Sequence, residues 1–286
     1  MIFKDKTVII TGGSEGVGAA TARLFAMAGA NLMLVARNKK NLDSIAAELR
    51  DKTRVEVLAM DVTDSDACVD LFKKAAFEFG RVDVLVNNAG YHARGPVRQV
   101  AAEDLGRIID VNLRAPIVLT RLAMPYFEEA GGGVVINVAS LHGRLASAGA
   151  STYSASKFGL RIFTLALRQE LEGTGIKAAV VSPGPVDTGF IMENLDEVDD
   201  IVFSQPMSSA EDVAQAVLDL CGNNIAEQAM PRSTAYLTTA AYLMPWLSKW
   251  LRPMLSKKGA RVKARLKAER RQAADSNKKS GPPQGE

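Results

Sequence analysis

The chain has 286 residues and a formal net charge of +3, which suits one large α/β domain or one domain with a tail. The charge is uneven: residues 257–286 hold ten Lys or Arg against three acids, so a mildly acidic body precedes a basic tail. Apolar runs are short and the two cysteines, Cys68 and Cys221, lie far apart. We therefore expect no cleavable leader, spanning helix, metal site or disulfide, and a reducing cytosol.

The first predicted unit is a strand, a glycine turn and a helix. Residues 6–11 are a β-rich apolar run, TGGSEGVG follows at 11–18, and a helical pattern comes next. Gly12 would permit the tight turn, Gly16 the approach of a pyrophosphate, and Gly18 close packing of the helix on the sheet. The helix N-terminus would face the phosphates. This context favours a dinucleotide site over a plain strand–helix turn.

The second predicted strand, residues 31–37, indicates which dinucleotide binds. Many such folds end this strand with an acid that bonds the ribose 2′-hydroxyl, but here Ala36 and Arg37 stand there. Arg37 can pair with a 2′-phosphate, which favours NADP(H) and leaves NAD(H) as the alternative. Arg37 could instead cap the strand end. Glu15 in the glycine turn also weakens the case for NADP(H), because a second basic residue would be favourable there. The third strand, 54–62, ends at Asp61, which could edge an adenine.

The next two elements carry amide side chains. The fourth strand, 82–90, ends in NNAG at 87–90, where small and amide residues suit a sheet edge that admits a cofactor. A long helical region, 103–130, contains Asn112 between Val111 and Leu113. Asn is mildly unfavourable inside a helix, so its apolar neighbours indicate a buried role rather than a solvent-facing one.

Residues 132–188 hold the predicted acid/base residues. A fifth strand, 132–140, delivers Ser140, and a helix over 152–172 places Tyr153 and Lys157 one turn apart on one face. A phenol beside an ammonium and a serine can interconvert a carbonyl and an alcohol, although Tyr and Lys at this spacing often mark only a solvated face. A sixth strand spans 176–188. The alternation predicts a doubly wound parallel sheet with helices on both faces, a Rossmann fold.

Residues 189–210 follow the sixth strand and contain apolar residues that could wall a substrate pocket. Ordinary loop packing is the alternative for their five large apolar residues, and the acidic run at 196–200 argues against an anionic substrate. His142 could touch the substrate, or it could be a surface donor. The residues that could wall an apolar pocket are Phe190, Ile191, Met192, Val202 and Phe203.

The C-terminal part begins after a short candidate strand at 227–232. Residues 236–256 are apolar and aromatic, are broken by Pro245 and Pro253, and give helical spacing to Trp246, Leu247, Trp250, Leu251 and Leu255. A basic run follows. This pattern fits either an interfacial membrane segment or a helix folded over the pocket or a partner subunit. A nucleic-acid role is weaker, because no binding module accompanies the tail. We expect domain 1–232, a helical extension at 233–271 and a disordered tail at 272–286.

The ordered motifs resemble the short-chain dehydrogenase/reductase superfamily in its single-Rossmann-domain form. The resemblance covers roughly residues 5–190 and rests on TGGSEGVG at 11–18, Asp61, NNAG at 87–90, Asn112, Ser140, YSASK at 153–157 and PGPVDT at 183–188. The Gly-Gly ending common in the family is missing. The resemblance therefore leaves the family tetramer in doubt and favours a homodimer through the helices near 103–130 and 152–172.

The resemblance also implies roles. Tyr153 would be the acid/base, Lys157 would hold the nicotinamide ribose and lower the tyrosine pKa, and Ser140 would orient the carbonyl. Asn112 would hold a water that links Lys157 to solvent, and Thr188 would hold the carboxamide. Residues 189–210 lie where the family has its substrate lid, and the substrate contacts would be Ser140, His142 and Phe190. The implied cofactor contacts are Gly12, Ser14, Glu15, Gly16, Val17, Gly18, Arg37, Asp61, Val62, Asn88, Ala89, Gly90, Tyr153, Lys157, Pro183, Gly184, Val186 and Thr188.

From these observations we expect an NADP(H)-dependent carbonyl reductase or alcohol dehydrogenase in the cytoplasm. Its substrate would be a small apolar ketone or secondary alcohol, lipid-like or steroid-like. The alternative is a catalytically idle NADP(H)-binding scaffold that docks on membranes through residues 236–271. No nucleic-acid partner is expected.

Overall fold

A computed structural model describes residues 3–192, 195–196 and 198–279. Seven parallel strands form one sheet in the order β3-β2-β1-β4-β5-β6-β7. The strands are β1 (Thr7–Thr11), β2 (Asn31–Ala36), β3 (Val55–Ala59), β4 (Val84–Asn87), β5 (Gly133–Val138), β6 (Ile176–Pro183) and β7 (Glu227–Met230). The six strands predicted in the body and the short seventh candidate are all present.

Helices cover both faces of the sheet. They are α1 (Gly16–Met27), α2 (Lys39–Leu49), α3 (Ser65–Phe79), α4 (Ala102–Ile109), α5 (Ala115–Glu129), α6 (Ser151–Glu170), α7 (Gly189–Met192), α8 (Ala210–Gly222), α9 (Arg232–Leu243) and α10 (Pro245–Lys279). Because strand side chains alternate, Val8 and Ile10 pack toward α1, α2 and α8, whereas Ile9 packs toward α3 and α5. The predicted Rossmann architecture is confirmed.

The strand order reverses between β1 and β4. From β1 the chain builds outward through β2 to β3, and from β4 it builds the other way through β5 and β6 to β7. Ligands of such sheets bind in the crevice at the carboxyl ends of the strands at this switch point. We therefore expect the ligand site among the loops that follow β1, β4, β5 and β6.

The predicted helical region 103–130 is divided in the structure. A π-helical turn, Asp110–Arg114, connects α4 to α5 and contains Asn112. Such turns interrupt an α-helix with one wider turn and occur often at functional sites. The interruption lets Asn112 turn its side chain into the protein, where it is fully buried.

The C-terminal part differs most from its prediction. Pro245 begins α10, but Pro253 lies inside this helix and does not end it. The helix continues to Lys279, so residues 272–279 are helical where a disordered tail is predicted. Residues 280–286, and the side chains of Leu247, Trp250 and Leu251, lie outside the described residues. None of the described helices combines the length and hydropathy needed to cross a membrane.

Candidate active site

The glycine turn after β1 depends on two glycines for different reasons. Gly12 has φ +65°, in the left-handed region that favours glycine. A Cβ on Gly18 would lie 2.0 Å from the carbonyl oxygen of Gly12 and 2.7 Å from the side-chain Nδ2 of Asn88. Gly18 does not line the crevice, so its predicted role in close packing fits the geometry better than its predicted cofactor contact.

The NNAG loop after β4 is fixed to this turn by hydrogen bonds. The hydroxyl of Thr11 accepts from the backbone N–H groups of Asn88 (3.0 Å) and Ala89 (3.1 Å). The Asn88 side chain donates to the carbonyl oxygens of Thr11 (3.0 Å) and Gly12 (3.2 Å). These bonds join the ends of β1 and β4, so the crevice at the switch point keeps a defined shape.

Asn87, the first residue of NNAG, lies in the core and not at the sheet edge where its sequence position suggests a cofactor contact. The Asn87 amide donates to the side-chain oxygen of Asn137 on β5 at 2.8 Å, and the Asn137 amide donates to the Thr164 hydroxyl on α6 at 2.8 Å. Both asparagines are buried. Asn87 therefore contributes to a polar contact inside the core that joins β4, β5 and α6 and does not line the crevice.

A cavity of about 1070 Å³ occupies the carboxyl edge of the sheet. Every predicted cofactor contact except Gly18 lines it, and so do Ser140, His142 and Phe190. At one end of the cavity, Glu15 precedes α1 without a capping hydrogen bond, and the first turn of α1 contains no acid. Uncapped N–H groups at a helix N-terminus attract an anion. The glycine-lined crevice and this helix end fit a dinucleotide pyrophosphate.

Near the end of β2 the cavity is lined by two arginines and one aspartate, Arg37, Arg107 and Asp61. Arg37 is exposed there and forms no ion pair with any residue that the structure describes. Asp61 forms a 2.7 Å ion pair with Arg107 and accepts hydrogen bonds from Thr63. Burial opposes them, but these contacts hold the pKa of Asp61 below its usual value. Since Arg107 neutralises Asp61, no unpaired carboxylate among these residues repels a phosphate near Arg37.

The structure brings Ser140, Tyr153 and Lys157 together at the other end of the cavity. Ser140 follows β5, where its hydroxyl accepts from the His142 N–H (3.2 Å) and donates to the carbonyl oxygen of Pro183 (3.4 Å). Tyr153 and Lys157 lie on α6, and the Lys157 Nζ is 5.9 Å from the centroid of the Tyr153 ring. The Lys157 Nζ donates to the carbonyl oxygen of Val138 at 2.8 Å. This bond fixes the ammonium beside the phenol.

The protonation of these groups differs from the prediction. Burial raises the pKa of Tyr153, and its hydrogen bond with Ser140 and the charge of Arg94 oppose this effect only in part. Burial also lowers the pKa of Lys157 to about 8. The predicted lowering of the tyrosine pKa by Lys157 is not among these effects, and desolvation disfavours the charged form of both groups. At neutral pH the phenol keeps its proton.

Asn112 is linked to the site through hydrogen bonds to the backbone of Tyr91. Its side-chain oxygen accepts from the Tyr91 N–H and its amide donates to the Tyr91 carbonyl, both at 2.8 Å. The amide also donates to the hydroxyl of Ser156 at 3.2 Å. Asn112 thus joins the segment after NNAG to α6 immediately before Lys157. It does not line the cavity, and its implied water-holding role stays a prediction.

His92 and Arg94, which follow NNAG, contact the site but were not predicted from the sequence. The His92 ring stacks on the Tyr153 ring with centroids 4.2 Å apart and an angle of 10° between the planes. Arg94 donates to the carbonyl oxygen of Phe190 at 3.3 Å and lies over its ring. The only signal for either was its position beside a predicted cofactor edge, because stacking between residues 92 and 153 has no local pattern.

The histidines around Tyr153 are neutral. Burial, with the charge of Arg94, lowers the pKa of His92 to about 3 and that of His142 to about 4. His142 contacts the edge of the Tyr153 ring at 5.6 Å. The His92 Nδ1 is buried and has no hydrogen-bond partner among the described residues. The surroundings of the tyrosine are therefore aromatic and uncharged except for Arg94 and Lys157.

The lid, residues 189–210, supplies only part of the predicted apolar wall. Phe190, Ile191 and Val202 line the cavity. Met192 and Phe203 instead pack in a separate apolar cluster beneath the lid. Lys263 from α10 also lines the cavity, a contribution the sequence analysis did not predict. No group of His, Cys, Asp or Glu within the described part of the chain is arranged to hold a metal ion.

Comparisons with known proteins agree with this geometry. A sequence model described as short chain dehydrogenase matches residues 6–199. An uncharacterized oxidoreductase from Staphylococcus epidermidis is 34% identical over 185 residues, which cover 65% of this chain and 80% of the relative. A 3-oxoacyl-[acyl-carrier-protein] reductase from Thermotoga maritima is 32% identical over 228 residues, covering 78% of this chain and 93% of that one.

Solved structures show the same architecture. The crystal structure of levodione reductase matches 82% of this chain and 99% of its own, with a TM-score of 0.74 and 25% identity. A metagenomic short-chain oxidoreductase in complex with NADP matches 80% and 98%, with a TM-score of 0.69 and 28% identity. With the Ser140, Tyr153 and Lys157 cluster placed at the switch point of a Rossmann sheet, the chain belongs to the short chain dehydrogenase family and is an oxidoreductase of that family.

Proposed function

We propose that this protein is an NADP(H)-dependent oxidoreductase that interconverts an apolar ketone and the corresponding secondary alcohol. The observation that carries the proposal is the convergence of Ser140, Tyr153 and Lys157 on the cavity that also contains the glycine turn. A bound nicotinamide would supply the hydride in reduction and accept it in oxidation. The protein must then hold the carbonyl and exchange one proton.

The chain's own residues account for that proton. Tyr153 is protonated at neutral pH because burial raises its pKa, so it can give a proton to the oxygen of a ketone during reduction. Ser140 lines the same cavity and is placed to orient the same oxygen. The phenolate that remains is next to Lys157, whose charge stabilises it until the proton is replaced.

Purified protein offered NADPH and a panel of apolar ketones tests this proposal. We expect NADPH consumption by the wild type and a decrease of about a hundredfold or more in Tyr153→Phe, because the positioned proton donor is lost. NADPH binding, followed by its fluorescence, should remain in the variant. Equal turnover by Tyr153→Phe, or binding of NADPH without turnover of any ketone, would contradict the proposal.

NADP(H) is the proposed cofactor because Arg37 lines the cavity without an ion pair to any described residue and no acid ends β2. The solved relative that contains NADP supports this preference. Arg37→Asp should move the ratio of kcat/KM for NADPH over NADH toward NADH by about tenfold or more, because the carboxylate repels a 2′-phosphate and can bond a 2′-hydroxyl. Arg50→Asp, at the exposed residue that follows α2, is the control. An unchanged ratio would leave NAD(H) as an equal cofactor.

The proposed substrate is lipid-like or steroid-like. Its support is the apolar wall formed by Phe190, Ile191 and Val202 and the neutral state of both histidines beside Tyr153. The relative named as a 3-oxoacyl-[acyl-carrier-protein] reductase acts on an acyl chain that carries a ketone, which agrees with an apolar pocket. The proposal includes cytoplasmic localisation, which fits the two buried free cysteines.

A second candidate is the membrane-docked scaffold. It is favoured by exposed apolar side chains on α9 and at the start of α10, among them Tyr236 (77% exposed), Leu243 (71%) and Trp246 (68%). A homodimer is proposed from a different surface. Ile117 on α5 and Phe158 and Ile162 on α6 are exposed on the helices through which the family resemblance implies dimerisation.

A further inference from the structure

We propose that α10 is a clamp that holds the substrate lid over the active-site cavity, with Lys263 as its positioning residue. Lys263 forms a 3.1 Å ion pair with Asp200 and donates to the carbonyl oxygen of Val198 at 2.7 Å. Two further ion pairs join the same elements, Lys267 with Asp196, and Arg252 with Asp199 at 3.3 Å. The basic helix is thus matched to the acidic run of the lid.

The helix also contacts the lid through its backbone. Gly259 is buried inside α10, and a Cβ there would lie 1.7 Å from the carbonyl oxygen of Asp200 and 2.6 Å from its carbonyl carbon. Glycine weakens the interior of a helix, so its presence is explained by the close approach that it allows. Gly259, Lys263 and Lys267 follow each other at intervals of four residues and therefore share one face of the helix.

Apolar packing adds to these polar contacts. Val262 and Leu266 of α10 pack against Leu195, Val198 and Phe203 of the lid in a cluster of their own, separate from the two cores of the sheet. Phe203 is only 1% exposed. The outer part of the lid therefore has its apolar support in α10 rather than in the Rossmann body.

Among the described residues, contacts between the body and the lid occur at both ends of the lid. Val186 and Ser208 form an isolated parallel bridge at the base, and Arg94 bonds the carbonyl oxygen of Phe190. Between these points Val198 and Val202 line the cavity together with Lys263. Since the clamp fixes the middle of the lid, it sets the width of the pocket. The effect on substrate binding rests on the proposed function, whereas the clamp itself does not.

A glycine substitution tests the clamp, because a methyl group at residue 259 should loosen the lid only if the two backbones are in contact there. Gly259→Ala raises helix propensity but inserts a methyl group against Asp200. The matched control is Gly106→Ala in α4, where a Cβ would meet nothing within 4 Å. We expect amide hydrogen exchange of residues 198–204 to accelerate about tenfold in Gly259→Ala and to stay unchanged in Gly106→Ala. Unchanged exchange in both variants overturns the clamp, and this readout needs no turnover.

Lys263→Met gives a second, kinetic readout. We expect the KM for the ketone to rise about tenfold, because a charge-assisted hydrogen bond and an ion pair are lost, while kcat and the KM for NADPH stay within about twofold. The control is Lys258→Met on another face of α10, which is exposed and forms no ion pair with a described residue. An equal effect of both variants, or a loss of kcat alone, contradicts the positioning role. A wild type without ketone turnover refutes the proposed function, and hydrogen exchange then decides the clamp alone.

Discussion

At the scale of single residues, the site is governed by desolvation. Tyr153, Lys157, His92 and His142 are crowded at one end of the cavity, and burial disfavours the charged form of each. The pKa of the phenol rises while those of the lysine and the two histidines fall. A protonated tyrosine among neutral histidines is a suitable donor of a proton to a ketone oxygen at neutral pH.

The pH dependence of ketone reduction follows from these directions. We expect kcat/KM to be constant from about pH 5 to pH 8, because both histidines remain neutral above about 4. It should decrease above about pH 8, where Lys157 loses its charge and no longer stabilises a phenolate. A step near pH 6.5 that disappears in His92→Asn would show instead that His92 titrates normally. The profile is measured under saturating NADPH.

At the scale of elements, a buried ion cluster holds the catalytic segments together. Glu227 on β7 pairs with Arg144, which ends the turn after Ser140, at 2.6 Å, and with Arg161, one turn beyond Lys157, at 2.8 Å. The hydroxyl of Ser182 on β6 donates to the same carboxylate at 2.8 Å. Burial opposes ionisation, but these partners hold the pKa of Glu227 below its usual value. Through Glu227, the edge strand β7 thus holds the turn after Ser140 and the helix that carries Lys157 in place.

Glu227→Gln should destabilise the protein by roughly 3 kcal/mol, because it leaves two partly buried arginines without a countercharge. The lowered pKa means that this stability is present above the unfolded pKa of about 4.3 and is lost as the pH falls through the folded value. The variant should therefore lose less stability on acidification than the wild type. Urea unfolding at several pH values measures both effects.

The control for this variant is Glu48→Gln. Glu48 forms a 2.7 Å ion pair with Arg23 in which both side chains are 41% exposed. Solvent screens such a pair, so we expect a loss below about 1 kcal/mol. Equal losses in the two variants would show that Glu227 gains nothing from its burial among two arginines.

At the scale of the whole molecule, two apolar surfaces remain on the described part of the chain. One lies on α9 and the start of α10, the other lies on α5 and α6, and they meet where the Phe158 ring contacts the Tyr242 ring. The basic residues Arg252, Lys263 and Lys267 are engaged by the lid and are not free to meet a membrane. The exposed Leu243 and Trp246 keep a membrane interaction in competition with a protein interface.

Co-sedimentation with anionic lipid vesicles separates the two surfaces. If α9 and α10 dock on membranes, Trp246→Ser combined with Leu243→Ser should reduce the bound fraction severalfold, because apolar side chains no longer enter the interface. Ile162→Ser should leave vesicle binding unchanged and weaken the dimer measured by light scattering. Absence of wild-type sedimentation would exclude the docked scaffold, and a wild-type monomer would exclude the proposed dimer.

The amino-acid sequence determined the strands, the helices that cover them and the order of the motifs. Hydrophobic periodicity and glycine turns are local, and parallel strands joined by helices have few arrangements, so Tyr153 and Lys157 on one helical face and Ser140 at a strand end were predictable from spacing. The raised pKa of Tyr153 was not predictable from spacing, because desolvation depends on everything packed around the group.

Only the tertiary structure decided which distant residues meet. The stacking of His92 on Tyr153, the pairing of Glu227 with Arg144 and Arg161, and the approach of Gly259 to Asp200 join segments that no local pattern relates. In the sequence the basic run and the acidic run are two separate charged segments, each compatible with solvent. In the folded chain they become ion pairs, because α10 crosses the lid at the place where a glycine lets the two backbones come into contact.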